Sequence, residues 1–394
     1  MLDDPALRVD PYPVLAGLRE RGALVDTGGG VRVATTRAAC DELLRNRALG
    51  RIFTPREPQQ TWETFNWLHA DSVLDSEPPK HTRLRRLVAG AFGRGHVARL
   101  APTIERICRE QLADARPALR DGGWDVVEHY AEPIPVRVIA ALLDWPEPDQ
   151  HLLRPWSQAI VQMYELAPSD EQCAAAVRAA GEFASYVDDL ADARAKQPGD
   201  DLLSDLVRVR DGSDRLSRTE LIATVVLLLN AGHEASVNGF GNGLLSLLAA
   251  PGAQRAVRQH LADGGSLDTV VEEMLRHDPP LQYFERTATR DTTVAGRPVA
   301  EGEKVAALLG AAARDPEAFD SPDEFRWDRS GPAHLGFGAG IHFCLGAPLA
   351  RLELATSLRE LLRHTAGLSV VDVERRPTFV LRGCSRIVVA DSSA

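Results

Sequence analysis

Lysine is almost absent from this chain, which has only Lys80, Lys196 and Lys304 among its 394 residues. Acidic residues outnumber basic ones by 56 to 45, and the net charge of −11 argues against nucleic acid as a partner. The sequence also lacks an uninterrupted apolar run of the roughly 20 residues that a membrane helix needs. Its first residues, Met1 to Asp4, do not form an apolar signal region. We therefore expect a cytoplasmic protein without a membrane anchor.

Cysteine is scarce as well, and four of the five cysteines follow no recognisable pattern. The five cysteines are odd in number, widely separated and without a CxxC pair: Cys40, Cys108, Cys173, Cys344 and Cys384. This spacing argues against a disulfide framework and a zinc site.

Cys344 differs from the others because it lies in a glycine-rich loop. The loop Phe337–Gly346 reads FGAGIHFCLG, and an apolar, helix-like segment follows it at once. A thiolate is a strong donor to haem iron, and backbone N–H groups of a tight loop and a helix start stabilise it. A lone cysteine is more often a buried structural residue, but the complete loop pattern favours the iron ligand.

One predicted helix, from about Ser217 to Ala250, is long enough to cross a whole domain. Ser217 and Glu220 form a capping box at its start, and a Pro-Gly pair follows its end. Its middle is apolar all round, which predicts burial. The stretch 230–236, NAGHEAS, then places a glycine and an acid inside a buried helix. Such locally unfavourable residues typically mark a functional site.

The rest of the chain predicts a mainly α fold with a small β region. Helical periodicity recurs along its whole length, and β-like segments lie near residues 22–35, 286–299, 304–309 and 370–389. We found neither an internal repeat nor a low-complexity linker, so we expect a single domain over residues 1–394.

Three motifs follow one another along the chain: the centre of the long helix, an ExxR motif at 273–276 and the pattern Phe-Gly-x-Gly-x-His-x-Cys-x-Gly. In these motifs, over nearly its whole length, the chain resembles the soluble bacterial cytochrome P450s, which are haem-thiolate monooxygenases. The resemblance implies haem b between the long helix and the cysteine loop. It implies that Cys344 is the axial iron ligand and that Phe337 and Gly338 lie beside the cofactor.

The resemblance assigns the oxygen-binding site to the centre of the long helix. In the family, the glycine at position 232 gives space for dioxygen, and the acid at Glu234 takes part in proton delivery. The family threonine is replaced by Ala235, and Ser236 lies about 100° further round the helix. Three alternatives follow: a substrate hydroxyl supplies the missing hydrogen bond, Ser236 or ordered water does so through a local helix distortion, or the enzyme does not insert oxygen.

The ExxR pair, Glu273 and Arg276, is weak evidence alone, since i,i+3 ion pairs are common on helices. In the family this buried pair, joined by an arginine from a later loop, holds the scaffold of the cysteine loop. Arg329 is the first candidate for that arginine and Arg326 the second. Bidentate arginine–carboxylate geometry suits such a structural contact.

Cationic residues are expected to bind the haem propionates. The resemblance assigns this role to His81 and Arg85, which share a helix face, and to Arg286 and His342. The alternative for each is a solvated surface charge. A further expectation is a cationic patch that steers an acidic electron donor; its members are Arg83, Arg86 and Arg351.

Substrate contacts rest on family position, with ordinary core packing as the alternative. The segment 52–74, which contains Trp67, corresponds to the variable loop over the pocket. The other predicted pocket residues are Leu228, Ala231, Gln282, Tyr283 and Phe284.

The expected function is a monooxygenase that acts on a small to medium secondary metabolite, derived from a polyketide or peptide. A separate ferredoxin or flavodoxin, with an NAD(P)H-dependent reductase, would supply electrons to a monomeric enzyme. One rival is a haem-thiolate enzyme of oxidative coupling, desaturation or peroxide-driven oxidation, which Ala235 keeps open. Another is a non-catalytic haem-binding protein.

Overall fold

The computed structural model of the chain describes residues 2, 4–89, 94–121, 123–209 and 214–391. Within these ranges the α-helices are α1 Ala6–Val9, α2 Tyr12–Glu20, α3 Arg37–Arg45, α4 Gln59–Ala70, α5 Lys80–Ala89, α6 Arg94–Arg99, α7 Ala101–Leu112, α8 Ala115–Arg120, α9 Pro133–Leu143, α10 Leu153–Val161, α11 Asp170–Lys196, α12 Leu202–Arg208, α13 Arg218–Ala249, α14 Ala253–Ala262, α15 Asp268–His277, α16 Leu309–Ala313 and α17 Ala347–His364. The strands are β1 Leu24–Asp26, β2 Val31–Ala34, β3 Leu49–Gly50, β4 Trp124–Asp125, β5 Tyr283–Ala288, β6 Thr292–Val294, β7 Arg297–Val299, β8 Lys304–Leu308, β9 Leu368–Arg375 and β10 Cys384–Asp391. The predicted mainly α architecture with a small β region is confirmed.

The chain forms two compact units. The first comprises residues 1–50, 104–134 and 235–394, and the second comprises residues 51–103 and 135–234. The division falls inside α13, directly after Glu234. The single domain over residues 1–394 stays a prediction.

The first unit contains all the strands of the described ranges. A five-stranded sheet has the order β1-β2-β8-β5-β3, in which only β2 and β8 pair in parallel. A three-stranded antiparallel sheet, β4-β10-β9, and the hairpin β6-β7 complete the β structure. Cores of aliphatic side chains pack on the larger sheet, which fixes the position of β5 and of the loop that leads to Cys344.

The long helix α13 begins as the capping box predicts. The backbone N–H of Ser217 donates to a carboxylate oxygen of Glu220 at 2.9 Å, and the N–H of Glu220 donates to the Ser217 hydroxyl at 3.1 Å. Among the described helices, only α13 is long and apolar enough to cross a membrane by composition, but 72% of its apolar window is buried inside the protein. Burial of this kind is typical of a core helix.

Candidate active site

The cysteine loop is a tight turn whose backbone requires glycine. Gly338 and Gly340 both have φ of +70°, a conformation that glycine adopts without strain. A Cβ at position 340 would lie 2.5 Å from the carbonyl oxygen of Leu44, so the loop packs directly on the end of α3. The backbone N–H of Cys344 donates to the carbonyl of Phe337 at 2.9 Å and closes the loop. These contacts fix Cys344 just before the first turn of α17.

Cys344 is the only fully exposed thiol among the five cysteines. Cys40, Cys108 and Cys384 are buried, and burial raises the pKa of each of these thiols. A thiol that binds iron must be accessible and must lose its proton easily. An exposed cysteine in a glycine turn, next to the N-terminus of an 18-residue helix, therefore fits a thiolate-ligated iron group.

A buried ion cluster lies beside this loop. The guanidinium of Arg276 donates to both carboxylate oxygens of Glu273, at 2.6 and 2.8 Å, and both side chains are at most 3% exposed. The Nε of Arg329 lies 3.1 Å from each oxygen of Glu273. Arg326 contributes only its backbone N–H, at 2.7 Å. Burial opposes ionisation, yet these donors hold the pKa of Glu273 below its usual range.

The neighbouring acid, Glu272, makes a second contact with the loop region. It accepts a hydrogen bond from Arg351 of α17 at 2.6 Å and lies 3.3 Å from Nε2 of His334. Burial raises its pKa, but hydrogen bonds from His334 and Arg351 outweigh this and lower the pKa of Glu272 to about 2. The guanidinium of Arg351 also stacks over Phe337, 4.6 Å from the ring centroid. Two successive acids of α15 thus fix the segments before and after Cys344.

The predicted propionate ligands of the first unit, Arg286 and His342, lie in different environments. Arg286 is 3% exposed on β5, where its Nη1 donates to the Glu285 carbonyl at 2.8 Å and its guanidinium lies over Phe284. His342 is half-buried in the short turn Gly340–His342. Phe284 lies beside the loop, since a Cβ at Gly338 would be 3.5 Å from its ring.

Two predicted pocket residues, Gln282 and Tyr283, are buried, which agrees with the alternative of ordinary core packing. Gln282 is fully buried, and its Nε2 donates to the Pro279 carbonyl at 2.8 Å. Tyr283 packs with the aliphatic core on the larger sheet, and its hydroxyl donates to Glu285 at 3.0 Å. The local sequence does not tell which side chains of a strand face the core, and here these two do.

The first-unit part of α13 brings Ser236 to a buried acid of α17. Ala235 and Ser236 are half-buried, and the Ser236 side chain hydrogen-bonds to the carboxyl group of Glu353. Burial raises the pKa of Glu353 to about 8, although the Ser236 hydrogen bond opposes this rise. No cation pairs with Glu353 in the described residues, so this carboxyl group is protonated at neutral pH.

In the second unit, α5 carries the other two predicted propionate ligands. His81 is 2% exposed and Arg85 is half-buried, one helical turn apart on the same face. Two arginines predicted for a cationic docking patch are ion-paired: Arg83 binds Glu220, and Arg86 lies 3.4 Å from Asp214. Arg351 of the first unit is ion-paired as well, with Glu272.

In the second-unit part of α13, Gly232 lies against α9. A Cβ at this position would lie 3.1 Å from Cδ1 of Ile139 in α9, so the glycine permits close packing of two helices. The role of Gly232 in leaving space for dioxygen stays a prediction. Its neighbour Ala231 is exposed in the middle of this otherwise buried helix, and Glu234 is 4% exposed.

The remaining predicted pocket residues, Leu228 of α13 and Trp67 of α4, are half-buried. Sequence reasoning overlooked Glu353, although a signal was present. Glu353 recurs with Leu349 and Ser357 at i,i+4 spacing on the apolar face of α17, where an acid is unexpected.

Comparison with known proteins gives consistent matches. A family model described as Cytochrome P450 matches residues 162–366. Cytochrome P450 monooxygenase PikC of Streptomyces venezuelae is 38% identical over 371 residues, which cover 92% of this chain and 85% of the relative. Mycinamicin IV hydroxylase/epoxidase of Micromonospora griseorubida is 38% identical, with coverage of 75% and 72%. The crystal structure of P450BioI in complex with hexadec-9Z-enoic acid ligated acyl carrier protein matches with a TM-score of 0.92 at 29% identity and covers 100% of both chains.

Proposed function

The chain belongs to the cytochrome P450 family, and from this membership we propose that it oxidises a secondary metabolite of small to medium size by inserting one oxygen atom from dioxygen. The fold is the cytochrome P450 fold, and the protein is a haem-dependent monooxygenase. Its hydroxylase/epoxidase relative supports the choice of a metabolite as substrate. The observation that carries the proposal is the exposed Cys344 in its glycine turn.

We propose haem b as the cofactor, which when bound supplies the redox chemistry that activates dioxygen. Cys344 would supply the axial thiolate, and the rigid loop around Gly340 would hold that sulfur in place. Arg286 and His342, with His81 and Arg85, would bind the propionates. Glu273 and its two arginines would have no contact with substrate and would keep the loop in position.

Proton delivery needs a route that does not depend on a threonine at position 235. We propose that Ser236, with Glu353 as its hydrogen-bonding partner, takes this role, which is the second of the three alternatives. A protonated carboxyl group can donate through a hydroxyl, since the hydroxyl both accepts and donates a proton. The part of Glu234 in proton delivery, which the family resemblance implies, is a separate proposal.

Electrons would come from a separate ferredoxin or flavodoxin with an NAD(P)H-dependent reductase, to a monomeric cytoplasmic enzyme. Oxidative coupling or desaturation stays the second candidate, and the observation that favours it is Ala235. Product mass separates the two, since oxygenation adds one oxygen atom whereas coupling or desaturation removes hydrogen. The non-catalytic alternative predicts that no substrate stimulates electron consumption.

The first test is the spectrum of the reduced haem protein under carbon monoxide. We expect the red-shifted Soret band of a thiolate-ligated carbonyl complex in the wild type and in Cys173→Ser, the matched control. Cys344→Ser should lose this band and keep its secondary structure by circular dichroism. A wild-type haem spectrum without the band would contradict thiolate ligation.

A further inference from the structure

Arg56, in the second unit, has no carboxylate partner among the described residues. Its side chain makes one hydrogen bond, from Nη2 to the carbonyl of Met163 at 3.0 Å. Two neighbouring cations are neutralised: Arg51 lies 2.8 Å from Asp75, and Lys80 lies 2.6 Å from Asp71. An arginine offers five N–H donors, so Arg56 keeps both its charge and most of its donors available.

The position of Arg56 is nevertheless fixed. The side-chain amide of Asn66, which is buried, binds its backbone twice: Oδ1 accepts from the Arg56 N–H at 2.9 Å, and Nδ2 donates to its carbonyl at 3.0 Å. The guanidinium carbon lies over the rings of Trp62 and Phe65, 5.1 and 5.5 Å from their centroids. Such preorganisation reduces the entropy lost when the donors bind a ligand.

Next to this cation lies a cluster of aromatic rings that are mostly buried. The ring of His69 stacks on Phe65 and Phe53, with centroids 4.1 and 5.4 Å apart. Burial lowers the pKa of His69, and the nearby charge of Arg56 lowers it further. His69 therefore stays neutral at neutral pH. A fixed cation beside apolar rings is suited to a ligand that joins an anionic group to an apolar skeleton.

We propose that Arg56 binds the anionic group of an amphipathic substrate, a carboxylate or a phosphate. This inference rests on the proposed function and on the expectation, from the family resemblance, that the segment 52–74 lies over the substrate pocket. It narrows the substrate class to acidic metabolites or to metabolites presented on a phosphate-bearing linker. Arg56 would position the ligand and take no part in the chemistry.

The test uses the full haem-loaded chain, accepted only if its reduced carbonyl spectrum has the thiolate band, so that failure of the proposed function is recognised first. Calorimetric titration compares dodecanoate, methyl dodecanoate and dodecyl phosphate. We expect one of the two anions to bind about tenfold more tightly than the neutral ester, the size of one charge-assisted contact. The preferred anion identifies the carboxylate or the phosphate as the source.

Arg56→Gln should abolish the preference for an anion over the neutral ester. Arg56→Lys, which keeps the charge, should retain part of this preference. Arg47→Gln is the matched control, because Arg47 is exposed and makes none of the contacts that hold Arg56. Equal affinities of anions and ester in the wild type would overturn the proposal. An unchanged preference in Arg56→Gln, or no binding of any probe, would overturn it as well.

Discussion

The wild type should lose stability as the pH rises, and the variant Glu353→Gln should not lose it in this way. The difference in the free energy of unfolding between the two proteins should therefore grow with pH. Glu353 is 6% exposed in α17, with Ser236 as its hydrogen-bonding partner and a pKa of about 8 instead of 4.5. Glutamine has almost the same shape and can donate to the Ser236 hydroxyl, but it has no proton to release. The substitution therefore tests the protonated acid separately from the packing.

The sign and size follow from proton linkage. Between pH of about 4.5 and about 8, the folded protein keeps a proton on Glu353 that the unfolded chain releases. The free energy of unfolding of the wild type therefore falls by about 1.4 kcal/mol per pH unit in this window. Above about pH 8 both states are ionised and the contribution is constant. Over the whole window the wild type should lose about 5 kcal/mol relative to Glu353→Gln.

Denaturant unfolding at several pH values within this window measures the effect. The matched control is Glu360→Gln, since Glu360 is buried in the same helix but paired with Arg109 at 2.9 Å and Arg363 at 3.2 Å. Glu360→Gln should be less stable than the wild type, and its difference in the free energy of unfolding from the wild type should not rise with pH in this way. Parallel stability curves for the wild type and Glu353→Gln would refute a protonated Glu353.

The same variant tests the proton relay. If Glu353 supplies protons through Ser236, then Glu353→Gln should lower the yield of product per electron pair consumed by about tenfold. Ser236→Ala should give a similar loss, because in the proposed relay the proton of Glu353 leaves through this hydroxyl. An infrared band of the protonated carboxyl group, present in the wild type and absent in the variant, gives an independent readout. Unchanged coupling in both variants would exclude the relay.

Two further substitutions test the cysteine loop. Gly340→Ala should lower the free energy of unfolding by about 2 kcal/mol or more and weaken haem retention, because the φ of Gly340 is +70° and a Cβ would lie 2.5 Å from the Leu44 carbonyl. The control is Gly346→Ala, whose Cβ meets nothing closer than 3.9 Å. It should be nearly neutral in thermal unfolding. Glu273→Gln should cost about 3–5 kcal/mol, because two buried guanidinium groups lose their carboxylate. Glu272→Gln, at a half-exposed site, should cost less, and equal losses would contradict this explanation.

The sequence predicted those parts of the molecule in which chemistry demands particular residues at fixed spacing. The glycine turn at Cys344 and the pair Glu273–Arg276 are of this kind, because each consists of neighbours in the chain. The structure also brings Arg329 to Glu273, in agreement with the order of candidates. Its contact depends on the path of a loop, which the sequence indicated only through the family resemblance.

Directions of side chains were not predictable from local sequence. Gly232 and Ala231 are adjacent in α13, yet the glycine packs on Ile139 and the alanine is exposed. Their difference depends on where α9 lies, which is a property of the tertiary fold. In the same way Gln282 and Tyr283 were assigned to a pocket, although the packing around β5 buries both of them.

The burial of Glu353 is itself an argument for its function. At neutral pH the folded protein must hold a proton on this acid, which costs about 3 kcal/mol relative to the unfolded chain. An apolar residue of similar volume would avoid this cost, since α17 buries leucines on the same face. The chain places the acid next to a hydroxyl, one residue from the position where the family threonine is missing. The relay proposed through Ser236 and Glu353 rests on this contact, and a substrate hydroxyl stays the alternative source of the missing hydrogen bond.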